Sequence, residues 1–347
     1  MQPLEQLPIP LLEWYRDNAR ILPWREDPTP YHVWVSEIML QQTRVAAVLD
    51  YYTRFMAELP DVAALAEVPE QRLMKLWQGL GYYSRARNLQ AAARQIMEEH
   101  GGVFPTQYEQ VRALKGVGDY TAGAICSIAL GQPVPAVDGN VLRVVTRING
   151  DERDILAQST KRAIAQQLQP IIPLHAPDKF TQAMMELGAT VCLPNGAPQC
   201  QRCPARDFCV ARAQDSWSRI PVKAPKRPRR VEERDVWLLY RENRVALCQR
   251  PPKGLLAGLW EFPNALHGQL PKGWEGDMPQ GEFAGVARHI FTHVEWHLTA
   301  RKVYLEWDKL PQGWMWCTWQ ELNDIYAVPS AFDGVMDGVK EEIGHDL

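Results

Sequence analysis

A chain of 347 residues, 46% hydrophobic and 23% charged, can bury two cores and has the composition of neither a disordered nor a fibrous protein. Its formal net charge of −3 excludes a uniformly basic nucleic-acid binder while leaving room for a local basic face. It shows no apolar run of bilayer length and no secretory signal in Met1-Gln2-Pro3-Leu4-Glu5, so a cytoplasmic protein without a membrane partner is expected, in which seven cysteines point to metal before disulfides.

Leu11, Leu12, Trp14 and Tyr15 begin a helix that ends before Pro23 and the Pro28-Thr29-Pro30 turn. A longer helix is predicted from Tyr31 to about Leu59, with an apolar face of Val33, Trp34, Ile38, Leu40, Val45 and Val48. Glu37 stands in that face. Such a carboxylate is either paired with an arginine or desolvated with a raised pKa, as a general acid requires. Further on, glycines beside Tyr82 and Tyr83 precede Arg85 and Arg87. That stretch suits a packed loop and a solvated helix start, or an aromatic wedge with phosphate-holding arginines.

Gly116, Val117 and Gly118 separate two helical patterns, the second running from Thr121 to about Leu130. The turn is an ordinary helix connection or, with its open N–H groups, a seat for a phosphate. Asp138, ahead of Gly139 to Val145, reads by itself as a helix N-cap. Another helix and a loop fall between Asp151 and Pro177, and Met184 and Met185 of the segment after Phe180 read as core. Cys192, Cys200, Cys203 and Cys209 then give C-x7-C-x2-C-x5-C, a set of four thiolates for zinc or for a four-iron four-sulfur (4Fe–4S) cluster. Cys126, Cys248 and Cys317 lie in apolar segments and read as structural.

Residues 223–234 hold six lysines and arginines (Lys223, Lys226, Arg227, Arg229, Arg230, Arg234) against two glutamates, with Pro225 and Pro228 among them, and read as an extended basic linker. Beyond it the apolar period changes to two. Val236–Tyr240 and Val245–Gln249 form a hairpin pattern across Arg241-Glu242-Asn243-Arg244. Strands are expected around Ala287–Phe291 and Trp296–Trp307, and a helix near Ala331–Ile343.

Several of these stretches carry a resemblance that covers about Leu12 to Glu342. Trp34-Val35-Ser36-Glu37-Ile38-Met39-Leu40-Gln41-Gln42-Thr43, the Tyr82 stretch, the Gly116 hairpin with Asp138, and the cysteine loop resemble the MutY-type adenine DNA glycosylases of the endonuclease III superfamily. Gly258-Leu259-Trp260-Glu261-Phe262-Pro263 and Trp316-Cys317-Thr318-Trp319 resemble the Nudix-like domain that follows in that family. The implied fold is an α-helical helix-hairpin-helix glycosylase domain over 1–222, with a 4Fe–4S loop at 192–209. The 223–234 linker and a smaller α+β Nudix-like domain over 235–347 complete it.

The resemblance implies a monofunctional, monomeric, nucleoid-associated enzyme that removes adenine opposite 8-oxoguanine or guanine in double-stranded DNA, with other repair proteins as further partners. It implies Glu37 as general acid and Asp138 as stabiliser of an oxocarbenium-like sugar, supported by Tyr120 and Asn140. Gly116, Val117, Gly118, Gln41, Gln42, Thr43, Tyr82 and Arg85 would meet DNA, with Tyr82 as the wedge. Arg20, Trp24, Arg25, Leu40, Gln182 and Glu186 would form the adenine pocket, and Phe291, Thr292 and His293 would sense 8-oxoguanine. The four clustered cysteines would ligate the 4Fe–4S cluster.

The chain departs from the family pattern in particular places. Seven residues, not six, separate Cys192 from Cys200, and Thr292 stands where the family has serine. The acidic Nudix box is absent after Pro263, which suits a recognition module and not a pyrophosphatase. Tyr120, two residues past Gly118, occupies the place of the Schiff-base lysine of a glycosylase/lyase. The remaining alternative is a non-enzymatic iron–sulfur DNA-binding or redox protein, which would have no use for Glu37 and Asp138 together.

Overall fold

The computed structural model describes residues 3–225 and 228–344, so Lys226 and Arg227 of the basic connector lie outside the described residues. The chain forms two compact units. One holds the chain through Glu67 together with Asn88–Pro225, and the other holds Val68–Arg87 together with the chain beyond Pro225.

The first unit is helical, as its 3.6-residue periodicity requires. Helix Pro30–Leu40 starts on Thr29, whose side chain accepts from His32 N, and carries proline at its first position. Such a cap is worth about 1 kcal/mol. The expected single helix from Tyr31 to Leu59 is instead two, Pro30–Leu40 and Val45–Glu58. The break falls at Gln41–Arg44, where Gln42 takes a φ of 60°. No glycine or proline marks that turn, which leaves it without a local signature.

Helix Asp119–Ile128 begins at Gly118, and helix Gly139–Asn149 begins at Asp138 and ends at Gly150, which has a φ of 66°. Gly123 is needed where it stands: a Cβ there would lie 2.3 Å from the Pro135 carbonyl oxygen. That close approach seats the 133–137 segment against helix Asp119–Ile128 and so delivers Asp138. Helices Pro8–Asn18, Gly139–Asn149 and Pro177–Thr190 share a core that includes Leu11, Val141, Val145, Phe180 and Leu187, all at most 2% exposed. Truncating one of these to alanine is expected to cost about 2–5 kcal/mol.

The second unit is built on a seven-stranded sheet: β1 Arg230–Arg241, β2 Arg244–Gln249, β3 Trp260–Glu261, β4 Asn264–Leu266, β5 Glu282–Ile290, β6 Val294–Tyr304 and β7 Trp314–Thr318. Its order is β3-β2-β1-β6-β5, with β4 on β1 and β7 on β2. β1 and β6 run parallel, and the other pairs are antiparallel. Helix Asp333–Ile343 covers one face through Val335, Val339 and Ile343.

Two boundaries differ from those read in the sequence. The 223–234 segment is not linker throughout, because β1 already begins at Arg230, where Val294 supplies a parallel partner. Val68–Arg87 groups with the sheet and not with the helical unit that surrounds it in sequence. Its side chains explain this. Lys75 Nζ donates to the Leu322 and Tyr326 carbonyls at 2.9 and 3.2 Å, Gln78 to Val328 O at 2.9 Å, and Arg87 to Ala257 O at 2.6 Å. No helix among the described residues is long and apolar enough to cross a membrane.

Candidate active site

A cavity of about 1350 Å³ opens in the helical unit. Helix Pro30–Leu40 gives it Glu37 and Leu40, and the break after that helix gives it Gln41, Gln42 and Thr43. Gly118 and Tyr120 enter from the hairpin, Asp138 and Asn140 from the next helix start, and Gln182 and Glu186 from helix Pro177–Thr190. Arg20, Trp24 and Arg25 also line it.

Glu37, Asp138 and Glu186, three of the four carboxylates that line this cavity, sit in different surroundings. Glu186 is fully buried and bound by two guanidiniums: Arg20 Nε at 2.5 Å and Nη2 at 3.0 Å, and Arg25 Nη2 at 2.7 Å. Burial alone would raise its pKa, but the arginines outweigh that and hold it below the ordinary range. Glu37 is 5% exposed and is pushed up to about 7 by burial, against the lowering effect of a hydrogen bond from the Tyr120 hydroxyl. Of the two readings open for Glu37 in the sequence, the desolvated one holds; the arginine-paired acid is Glu186. Burial, with the Glu37 charge nearby, holds the Tyr120 phenol well above its usual range.

Asp138 caps its helix by accepting from Val141 N at 2.7 Å, and its other oxygen accepts from Asn140 Nδ2 at 2.7 Å. Burial pushes the carboxyl up, against these donors and the Arg143 charge. Asn140 is held in turn. Its Oδ1 accepts from Arg143 Nη2 at 2.8 Å, and the same guanidinium donates to Gly188 O at 2.8 Å and Cys192 O at 2.7 Å. Arg143 therefore ties the Asp138 cap to helix Pro177–Thr190 and to the first clustered cysteine. Sequence reading missed it, although Arg143 and Arg147 stand four apart among Val141, Leu142, Val144, Val145 and Ile148, an apolar setting that demands buried partners.

The four cysteines line one apolar pocket with Val144, Arg147 and Ile148, and none of them is in a disulfide. Arg147 Nη1 donates to Cys192 Sγ at 3.3 Å. Among the described residues no three of His, Cys, Asp and Glu converge on a point that could hold one metal ion. Gly116, with a φ of 76°, and Val117 lie on the hairpin outside the cavity.

The remaining site residues read from the sequence belong to the second unit. Tyr82 is 48% exposed, and its hydroxyl lies 3.1 Å from Thr292 Oγ1. Arg85, expected on a solvated phosphate-binding face, is instead buried. It donates to the Leu80 and Gly81 carbonyls at 2.8 and 3.1 Å and lies over the Trp77 ring, so it braces the turn that carries Tyr82. Phe291 packs on Trp296 and His289, with ring centroids 4.9 and 4.5 Å apart, and leaves Thr292 at the tip of the β5–β6 turn.

A hairpin-led helix start, an acid buried beside a tyrosine and a capping aspartate facing one cavity define a helix-hairpin-helix glycosylase fold. Residues 35–173 match the HhH-GPD superfamily of base excision DNA repair proteins, and residues 235–338 match the NUDIX domain. A thermostable thymine-DNA glycosylase superposes on 61% of the chain and 97% of its own, with a TM-score of 0.54 at 24% identity. Endonuclease III, trapped as a covalent DNA intermediate, covers 62% of the chain and 99% of its own, with a TM-score of 0.52 at 24% identity. The adenine DNA glycosylase of Mus musculus is 37% identical over 94% of this chain and 76% of its own length, and that of Homo sapiens 36% identical over 94% and 72%. The chain belongs to the adenine DNA glycosylase family.

Proposed function

We propose that this chain removes adenine paired with 8-oxoguanine or guanine by hydrolysing its N-glycosidic bond. The observation that carries the proposal is that two buried acids of one cavity have different partners: Glu37, raised to about 7 by burial, accepts from the Tyr120 phenol, and Asp138, also raised by burial, accepts from Val141 N and Asn140 Nδ2 on separate oxygens. Two acids whose surroundings differ in this way take separate roles.

Adenine leaves poorly as an anion, so its ring nitrogen must gain a proton. Glu37 supplies it. The Tyr120 hydroxyl occupies Oε2, which leaves Oε1 to carry the proton toward the base. General acid catalysis of this kind contributes roughly 10²–10⁴-fold. The sugar left behind carries positive charge, and Asp138, fixed by Val141 N and Asn140, faces it. Adenine reaches these groups only when flipped from the duplex. Gln41, Gln42 and Thr43 line the same cavity, and the Gly116–Gly118 turn with the following helix start suits a phosphate. Gln182 and the Arg20–Glu186–Arg25 group are the polar elements placed to hold the base.

The cysteine pocket fits a 4Fe–4S cluster better than zinc. A zinc site more often pairs two Cys-x2-Cys knuckles, and this loop has one. Cys192, Cys200, Cys203 and Cys209 would hold the cluster, and Arg147 offsets thiolate charge at Cys192. The group would act structurally, since the hydrolysis transfers no electron. Thr292 is the proposed sensor of 8-oxoguanine.

Single-turnover excision from duplexes carrying adenine opposite 8-oxoguanine, guanine and thymine tests the reading. Release of adenine, fastest opposite 8-oxoguanine and slowest opposite thymine, is expected. No adenine release from any of the three would overturn it.

A further inference from the structure

The two ends of the Phe291–His293 tip are held by consecutive residues of the connector. Arg229 Nε donates to Phe291 O at 3.1 Å, and Arg230 N donates to His293 O at 3.2 Å. Arg230 is also the first residue of β1, in register with Val294, the first residue of β6. Below the tip, Phe291 N bonds to Val294 O at 2.9 Å, and the Trp296 ring that supports Phe291 is covered by the Arg234 guanidinium at 4.5 Å. The carbonyls of both neighbours of Thr292 are thus fixed by the segment entering the sheet. A three-residue turn whose first and last carbonyls are fixed has little freedom left, and the hydroxyl at its centre inherits that order.

We infer that Arg229 is a positioning residue for discrimination of the base opposite adenine, acting through the Phe291 carbonyl on the Thr292 hydroxyl. This rests on the proposed reading of Thr292 as the 8-oxoguanine sensor. The hydrogen bond explains why an arginine at this point differs from the rest of the basic connector: its Nε is spent on the tip and not on solvent. Discrimination depends on a small difference in contact energy at one atom, so a tip that wanders loses selectivity before it loses affinity.

The chemistry of the donor supplies the test. Gln Nε2 sits the same number of bonds from the backbone as Arg Nε, so Arg229→Gln keeps the donor and removes the charge. Single-turnover rates of the full chain on A:8-oxoguanine and A:guanine duplexes give a selectivity ratio. Arg229→Ala is expected to lower that ratio about three- to tenfold, the scale of one lost hydrogen bond. Its rate on A:guanine and its melting temperature should stay unchanged, and Arg229→Gln should restore the ratio. Equal loss on both duplexes, or a ratio in Arg229→Gln as low as in Arg229→Ala, would mean a charge contact with phosphate and overturn the inference. Thr292→Val separates the two layers. If it lowers the ratio while Arg229→Ala does not, only the inference fails; if it leaves the ratio unchanged, the sensor reading fails and the inference with it.

Discussion

Tyr120 donates its phenolic hydrogen to Glu37 Oε2, while the two arginines nearest the base pocket are engaged by Glu186. The phenol holds Glu37 in one orientation, and the Arg25 charge, shared with Glu186, lowers its pKa less than burial raises it. The phenol favours the ionised form, so its bond lowers a pKa that burial raises. Tyr120→Phe should therefore raise the Glu37 pKa further above about 7. The alkaline limb of the excision profile should move to higher pH, with a lower maximal rate because the acid is less well aimed. A limb displaced to lower pH would contradict this assignment.

Strand cleavage should not accompany base removal. A lyase needs an amine to form an imine with the sugar, and the Tyr120 phenol cannot form one. The product should be an intact abasic site, and borohydride should trap no strong covalent complex. Tyr120→Lys would place an amine in the same cavity, where burial favours its neutral, nucleophilic form, and should gain both trapping and nicking. Gel analysis with and without alkali separates these outcomes.

Arg143 should prove more than a packing residue. Arg143→Lys keeps the charge but cannot reach Asn140 Oδ1, Gly188 O and Cys192 O together. Each buried acceptor left unpaired costs about 1–3 kcal/mol. A lower melting temperature is expected, together with a lower excision rate at unchanged DNA affinity, because Asn140 loses its hold on Asp138.

Purified protein should be yellow-brown with roughly four irons per chain, as a cubane on Cys192, Cys200, Cys203 and Cys209 requires. Cys203→Ser should lose iron and DNA affinity. Stoichiometric zinc without iron after anaerobic purification would contradict the cluster.

Much of this site was legible in the sequence because its residues have local signatures. Glu37 stood out as an acid in an apolar face, Asp138 as an N-cap, and the cysteines by their spacing. What the sequence hid was partnership across long separations. Nothing in the run from Arg20 to Arg25 announces Glu186 as the acid they share, 166 residues from Arg20. Arg85 sits in a solvated-looking pattern, and its burial follows from the Leu80–Gly81 turn it braces. The turn at Gln41–Arg44 escaped notice because it uses a left-handed glutamine and no glycine. The β1 start at Arg230 escaped notice because its partner strand lies some sixty residues on, among Val294 and its neighbours.

In the proposed reaction a buried, protonated Glu37 gives its proton to the departing adenine. Glu37→Gln keeps the shape of the side chain and an acceptor for Tyr120 but has no acidic proton. Single-turnover adenine release from A:8-oxoguanine duplexes, measured across neutral pH for both proteins beside their DNA affinities, tests it most directly. Wild-type release should fall as pH rises through about 7, since only the protonated Glu37 works, and should fall again at low pH where Asp138, raised by burial, takes up a proton. Glu37→Gln should bind DNA as tightly and release adenine at least about 10²-fold more slowly at every pH. Release by Glu37→Gln at the wild-type rate, or a wild-type rate that rises through the same range, would contradict the account.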